Sequence, residues 1–307
     1  MEVQLLLKAS RVSQWTKNLL VFAAAIFSKH QSLSLWWHCL VAFLGFCFVS
    51  SAIYLINDVV DREADRAHPR KRFRPIASGQ VSLQLALTLS FLWIALGLFL
   101  AYSLNLVVVS VFIVYIVIQI FYCFYLKRKP LLDLFCIASG FLLRAIAGLA
   151  AAAPESWSPW FLLTVGLLAL FLAVEKRKAE LRTVIDRGVV TRKVLLRYSL
   201  PLLLRLESIV ASSSFMAYAL WSAGPALRGA ETSWMLLSTP FVLVGIFRYQ
   251  LLSDPEENER RVSKSYGIAS EKPEEILIND PGIQLTLTGW LVTVVCVNYL
   301  NGSGVLP

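Results

Sequence analysis

Apolar residues along this chain come in runs too long and too continuous for alternating strands or for half-buried helices of a water-soluble core. Nine runs approach or exceed the roughly 20 residues that a helix needs to cross a bilayer. They fall at about 12–28, 35–57, 83–103, 106–125, 131–152, 159–178, 203–223, 234–252 and 283–300. Lys17 and Asn18 interrupt the first, so its membrane-buried part is expected to begin near Leu19. Polar residues gather between the runs. The longest polar stretch, Ser253 to Gly282, is dense in charge (Asp254, Glu256, Glu257, Glu259, Arg260, Arg261) before Pro273-Glu274-Glu275 and Asp280-Pro281. It reads either as a solvated loop or as a lid over a site. No Pro/Gly/Ser-rich linker and no short-period repeat divides the chain, so the pattern predicts one all-α, polytopic membrane domain over residues 1–307 with nine transmembrane helices.

Composition points the same way. With 57% hydrophobic and 16% charged residues, the chain is too apolar for an ordinary soluble domain. The first run leads into a long helical membrane domain, and no cleaved targeting segment is expected. The five cysteines (Cys39, Cys47, Cys123, Cys136, Cys296) lack metal-ligand or redox spacing and read as small buried hydrophobes. A net charge of +9 would in a soluble chain suggest nucleic acid. Here topology explains it, and no nucleic-acid partner is expected. With the N-terminus in the cytoplasm, nearly all of the 29 basic residues fall on that side; only Lys29 and Arg228 lie opposite, and Arg144 sits inside a span. The acids follow the bases, with Glu155 and Glu231 clearly outside. Chemistry is therefore expected on the cytoplasmic face.

The strongest candidate for that chemistry follows the second run. Asn57, Asp61 and Asp65 recur every fourth residue, which on a helix sets them along one face about 6 Å apart per step. Asp58 stands one residue off that face as a supporting group. Beside this ladder lie Arg62, Arg66, Arg70, Lys71, Arg72 and Arg74. Carboxylates that can hold Mg²⁺ together with bases that can hold phosphate point to a diphosphate substrate. For a lone acid, solvation of a helix end would suffice as an explanation; a ladder followed by a basic cluster calls for more.

Three further places carry candidate residues. Arg11, Gln14, Lys17 and Asn18 occupy neighbouring turns at a membrane entry, where flanking by positive charge would explain Arg11 and Lys17 but not Gln14 and Asn18. Arg144 lies mid-span, costly unless it faces a polar cavity or a partner; Asp133, three turns earlier, is oriented to the same face. Gly140, Ala147 and Gly148 allow close packing around it. At the end of the sixth run, Lys176 and Glu180 are spaced for a surface salt bridge, with Arg177 beside them.

Asn57-x3-Asp61-x3-Asp65 followed by Arg74-Pro75 resembles the first aspartate-rich motif of the UbiA-type intramembrane prenyltransferases. That resemblance implies nine helices around a central cavity, capped by cytoplasmic loops at about 58–82, 179–202 and 253–282. Typical members carry a second Asp-x3-Asp motif in the sixth-seventh loop, where this chain has Lys176-x3-Glu180 with Arg177. The departure fits a narrower branch, the polyprenyl-phosphate phosphoribosyltransferases, which act on decaprenyl phosphate in mycobacteria. The matching segments include Gln14-Trp15-x-Lys17-Asn18, Tyr122-x4-Lys127-x2-Pro130-x2-Asp133, Gly140-Phe141-x2-Arg144-Ala145-x2-Gly148 and Lys176-Arg177-x2-Glu180-Leu181. They reach from the first span to the sixth.

The branch resemblance implies a transferase of the bacterial plasma membrane that moves 5-phosphoribosyl from phosphoribosyl diphosphate to a polyprenyl phosphate for cell-envelope synthesis. Asn57, Asp61 and Asp65, with Asp58, would hold Mg²⁺ on the donor. Gln14, Lys17, Lys71, Arg72, Arg74, Tyr122, Lys127, Asp133, Arg144, Lys176, Arg177 and Glu180 would line the substrates. The alternative is prenyl transfer from a prenyl diphosphate to an aromatic acceptor. Tail length, metal count and oligomeric state stay open.

Overall fold

A computed structural model describes residues 3–28, 32–68, 71–152, 157–187, 193–254, 257 and 279–305. The first apolar run, expected at 12–28, is not one continuous α-helix. It breaks into a 3-10 segment (Val12–Phe22) and α2 (Ala23–Phe27), and α1 (Val3–Ala9) precedes it, with Arg11 in the left-handed region at φ 50° between α1 and the 3-10 segment. Its polar residues explain the break. Asn18 is fully buried and donates to Cys47 Sγ and Ser50 Oγ, each at 3.2 Å, while Trp15 Nε1 donates to Ser51 Oγ at 3.0 Å. A 3-10 run this long is uncommon, and these side-chain bonds hold it against the next helix.

The remaining runs become helices close to their expected bounds. They are α3 (Leu33–Val60), with the short α4 (Arg62–Ala67) at its end, then α5 (Leu83–Tyr102), α6 (Leu106–Phe124) and α7 (Leu132–Ala152). After them come α8 (Pro159–Arg187), α9 (Leu200–Ser222), α10 (Thr239–Leu252), entered through a 3-10 segment at Ser233–Ser238, and α11 (Pro281–Gly302). Ser32, Ser82, Asn105, Ser199 and Asp280 open α3, α5, α6, α9 and α11 by accepting the backbone N–H three residues on. Each such cap stabilises its helix by about 1 kcal/mol. The largest departure is α8, which continues well past the expected end at 178 and so carries Ala179 to Arg187 as helix rather than loop. Among the described residues eight helices are long and apolar enough to cross a membrane, and none of those residues is in a strand. Most of the expected 253–282 loop, and Arg70, lie outside the described residues.

The apolar surface suits lipid. Phe91, Phe99 and Leu285 are 71%, 66% and 75% exposed, which water would penalise and a bilayer does not. Four of the cysteines are buried as expected; Cys296 is exposed instead, on α11.

The chain divides into two compact units, residues 1–26 with 31–155 and residues 27–30 with 156–307. In the first, Phe46, Phe112 and Tyr115 centre the core, Phe46 meeting each of the other two rings edge-on at 4.8 Å. α7 lies against the 3-10 segment at Gly148, where any Cβ would overlap the Val21 carbonyl. That close approach brings Asn18 to Arg144. In the second, α8 packs along α9, and Trp221 gathers Phe27, Phe161 and Tyr218 with centroids at 4.9, 6.1 and 5.3 Å.

Candidate active site

At the junction of α3 with α4 Asp61 leaves the helical region (φ −90°, ψ 4°), but the i to i−4 bonding runs on through it. Asp61 N–H bonds Asn57 O at 2.9 Å and Asp65 N–H bonds Asp61 O at 2.8 Å. The expected spacing of the ladder therefore holds, but its partners divide it. Lys127 Nζ donates to Asp61 Oδ1 at 2.5 Å and to Asn57 Oδ1 at 3.4 Å. Arg74 Nη1 donates to Asp65 Oδ2 at 2.6 Å and to Asp58 Oδ1 at 3.2 Å. Arg11 also bonds Asp58 and lies over the Tyr54 ring at 5.1 Å. Asp58, placed off the face by its spacing, is thus tied to two arginines from separate connecting segments. Its side chain and that of Asp65 are 5% exposed, against 30% for Asp61.

The loop that presents Arg74 is anchored by apolar residues. Ile76 and Val81 bury against Leu55, Ala9 and Ala86. Val81 N–H closes on Pro75 O at 3.0 Å, and Ser78 N–H on Arg74 O at 2.8 Å. Gly79 takes the positive φ of 83° that the turn requires. Lys127 is delivered by a short 3-10 turn, Leu126–Arg128, between α6 and α7. Arg66 braces the loop through Ala77 O at 3.0 Å, Lys71 is half-buried, and exposed Arg72 lies over Phe73 at 4.8 Å.

Arg144 is buried on α7 and held by neutral groups. Its Nε donates to Asn18 Oδ1 at 2.6 Å, Nη1 to Gly140 O at 2.6 Å and Nη2 to Tyr115 OH at 3.4 Å. The guanidinium also lies over the rings of Phe46, Tyr115 and Phe141 at 5.2, 5.3 and 5.7 Å. Gln14, Lys17 and Tyr122 are half-buried in the same unit, and Asp133 is fully buried in the first turn of α7. Arg11 and Asn18, noticed at the membrane entry but given no role by the sequence, are the residues whose partners the fold reveals.

Lys176, Arg177 and Glu180 lie on α8 in the second unit. Glu180 accepts from fully buried Arg177 at 2.5 Å. Beside them is a cluster that sequence reading missed: Lys178 donates to Glu175 at 2.7 Å and to Glu207 of α9, whose other oxygen accepts from Gln250 of α10 at 2.9 Å.

Among the described residues no three or more His, Cys, Asp or Glu side chains converge on a common metal position. Asn57 and Asp61 nevertheless offer hard oxygen donors gathered on one cation, and Mg²⁺ characteristically takes only one or two carboxylates beside phosphate and water oxygens. The donor set fits such a metal.

A family model described as the UbiA prenyltransferase family matches residues 18–268. The chain belongs to this family. As a UbiA protein with eight long apolar helices among the described residues, it is a multi-pass membrane protein. It is 37% identical to the decaprenyl-phosphate phosphoribosyltransferase of Mycolicibacterium smegmatis, over 96% of this chain and 93% of that one. It is 34% identical to the enzyme of the same name from Corynebacterium glutamicum, over 96% and 87%. In fold it is similar to a UbiA homolog from Archaeoglobus fulgidus solved with GPP and Mg²⁺, with a TM-score of 0.67 at 18% identity, over 98% of this chain and 99% of that one.

Proposed function

We propose that this UbiA-family chain transfers the 5-phosphoribosyl group of phosphoribosyl diphosphate to a polyprenyl phosphate and releases diphosphate. The observation that carries this reading is the near full-length likeness to decaprenyl-phosphate phosphoribosyltransferases. The basic residues around the ladder support it. Arg74 and Lys127, with Lys71 and Arg72 nearby, supply cations for a donor that carries three phosphates. Asn57 and Asp61, together with Asp65, are the residues that would hold Mg²⁺, which when bound neutralises charge on a diphosphate leaving group. The bond from the ribose anomeric carbon to the diphosphate oxygen breaks, its electron pair leaving with diphosphate. A bond to an oxygen of the lipid phosphate forms in its place. That oxygen is already anionic, so no strong general base is required. Arg144, fixed by Asn18, Gly140 and Tyr115, is assigned to the acceptor phosphate. We place the site on the cytoplasmic side of a bacterial plasma membrane from the distribution of Lys and Arg.

The test supplies purified protein with Mg²⁺ and polyprenyl phosphate, adding either labelled phosphoribosyl diphosphate or a labelled prenyl diphosphate with an aromatic acceptor. Label reaching the lipid phosphate from the first mixture is the expected result. Product from the second mixture alone overturns the proposal.

A further inference from the structure

Lys127 stands against two of the three side chains assigned to the metal, Asn57 and Asp61. Its ammonium reaches Asp61 at 2.5 Å and Asn57 at 3.4 Å, whereas Asp58 and Asp65 are engaged by arginines. The two kinds of pairing differ physically. Arg74 bridges two carboxylates with one planar guanidinium, Arg11 doubles the hold on Asp58, and both carboxylates are 5% exposed. Lys127 is a single ammonium on a flexible stem, and the carboxylate it holds is 30% exposed. A ligand arriving from solvent can therefore reach Asp61 without dismantling the arginine pairs.

We propose that Lys127 is a built-in counter-cation: in the metal-free protein it occupies the Asn57–Asp61 position, and it transfers to the donor's diphosphate when a divalent cation takes those oxygens. The inference rests on the metal assignment under the proposed function. Exchanging one cation for another keeps Asp61 neutralised throughout, so like-charge repulsion from neighbouring Asp58 never opens the helix end. Displacing Lys127 lowers metal affinity when no phosphate is present. A bound diphosphate gives the released ammonium a new anion, so metal and diphosphate each strengthen the binding of the other, as linkage requires.

The test is a Mn²⁺ titration followed by electron paramagnetic resonance on the detergent-purified full chain, with and without inorganic diphosphate. Without diphosphate, Lys127→Met is expected to bind Mn²⁺ about tenfold more tightly than wild type, the size of one charge-assisted hydrogen bond. Lys127→Arg, which keeps the charge, is expected to stay near wild type. Diphosphate is expected to tighten Mn²⁺ in wild type and to lose most of that effect in Lys127→Met. Unchanged or weaker Mn²⁺ binding by Lys127→Met, or an undiminished diphosphate effect, overturns the proposal. Asp61→Asn separates the two levels: if it weakens Mn²⁺ while Lys127→Met leaves it unchanged, the counter-cation role falls and the metal assignment stands. If neither variant changes Mn²⁺ binding, both fall.

Discussion

Each unit carries a cluster of paired charges at a helix, and the two are built to opposite ends. In the first unit, Asp61 is reachable from solvent and answers to a lysine on a turn. In the second, Glu175, Lys178 and Glu207 are almost wholly buried, their side chains 1%, 4% and 7% exposed, and a single lysine serves two carboxylates. A cation that solvent can reach is exchangeable; one sealed among three helices is not. The open cluster is suited to binding and the sealed one to fixing α8, α9 and α10 against each other. Buried charges alone therefore do not mark a catalytic centre, and the accessible, replaceable partner is the better sign.

The sharpest way to break the comparison is to remove one member from each side. Asp61→Asn is expected to lower turnover of the phosphoribosyl donor by about three orders of magnitude, the scale of losing a group that anchors charge in a transition state. Its thermal unfolding in detergent should stay close to wild type, because Asp61 is partly solvated. Lys178→Met should do the reverse, destabilising the fold by about 3–5 kcal/mol by leaving two buried carboxylates without their cation. A clear drop in unfolding temperature, with an unchanged KM for the donor in the folded fraction, is the expected reading. If Lys178→Met instead raised KM with stability intact, the sealed cluster would belong to the binding machinery.

A smaller effect is expected at Asn18. Asn18→Leu removes the amide that accepts from Arg144 Nε at 2.6 Å and leaves the guanidinium with a lost partner. We expect kcat/KM for the polyprenyl phosphate to fall about tenfold, the size of one charge-assisted hydrogen bond, through a raised KM for that lipid and not for the donor. Loss confined to the donor's KM would place Arg144 elsewhere in the reaction.

Much of this arrangement was legible where it depends on local spacing. Asn57, Asp61 and Asp65 repeat at the helical period, and the apolar runs announce the long helices. What local spacing cannot show is which distant side chain answers each acid. Arg11 reaches Asp58 across 47 positions, Lys127 reaches Asp61 across 66, and Arg144 reaches Asn18 across 126. Those pairings also explain why Asp58, one residue off the expected face, is held by two arginines. The broken first segment was hidden for a related reason: its apolar content is right for a span, but Asn18 turns inward to partners on two other helices.

Glu63 offers the finest cut, because it lies in the same acidic stretch, between Asp61 and Asp65, yet shares nothing of their surroundings. Its side chain is 80% exposed and its partner is Arg66, itself 43% exposed, at 3.3 Å. An ion pair so open to water contributes only about 0–1 kcal/mol. Glu63→Gln is therefore expected to leave turnover within about twofold of wild type and the unfolding temperature unchanged, measured beside Asp61→Asn under one set of conditions. Should Glu63→Gln cost as much activity as Asp61→Asn, the stretch would be acting through its summed negative potential, which any of its acids supplies. The distinction between a reachable carboxylate with an exchangeable cation and an ordinary surface acid would then fail.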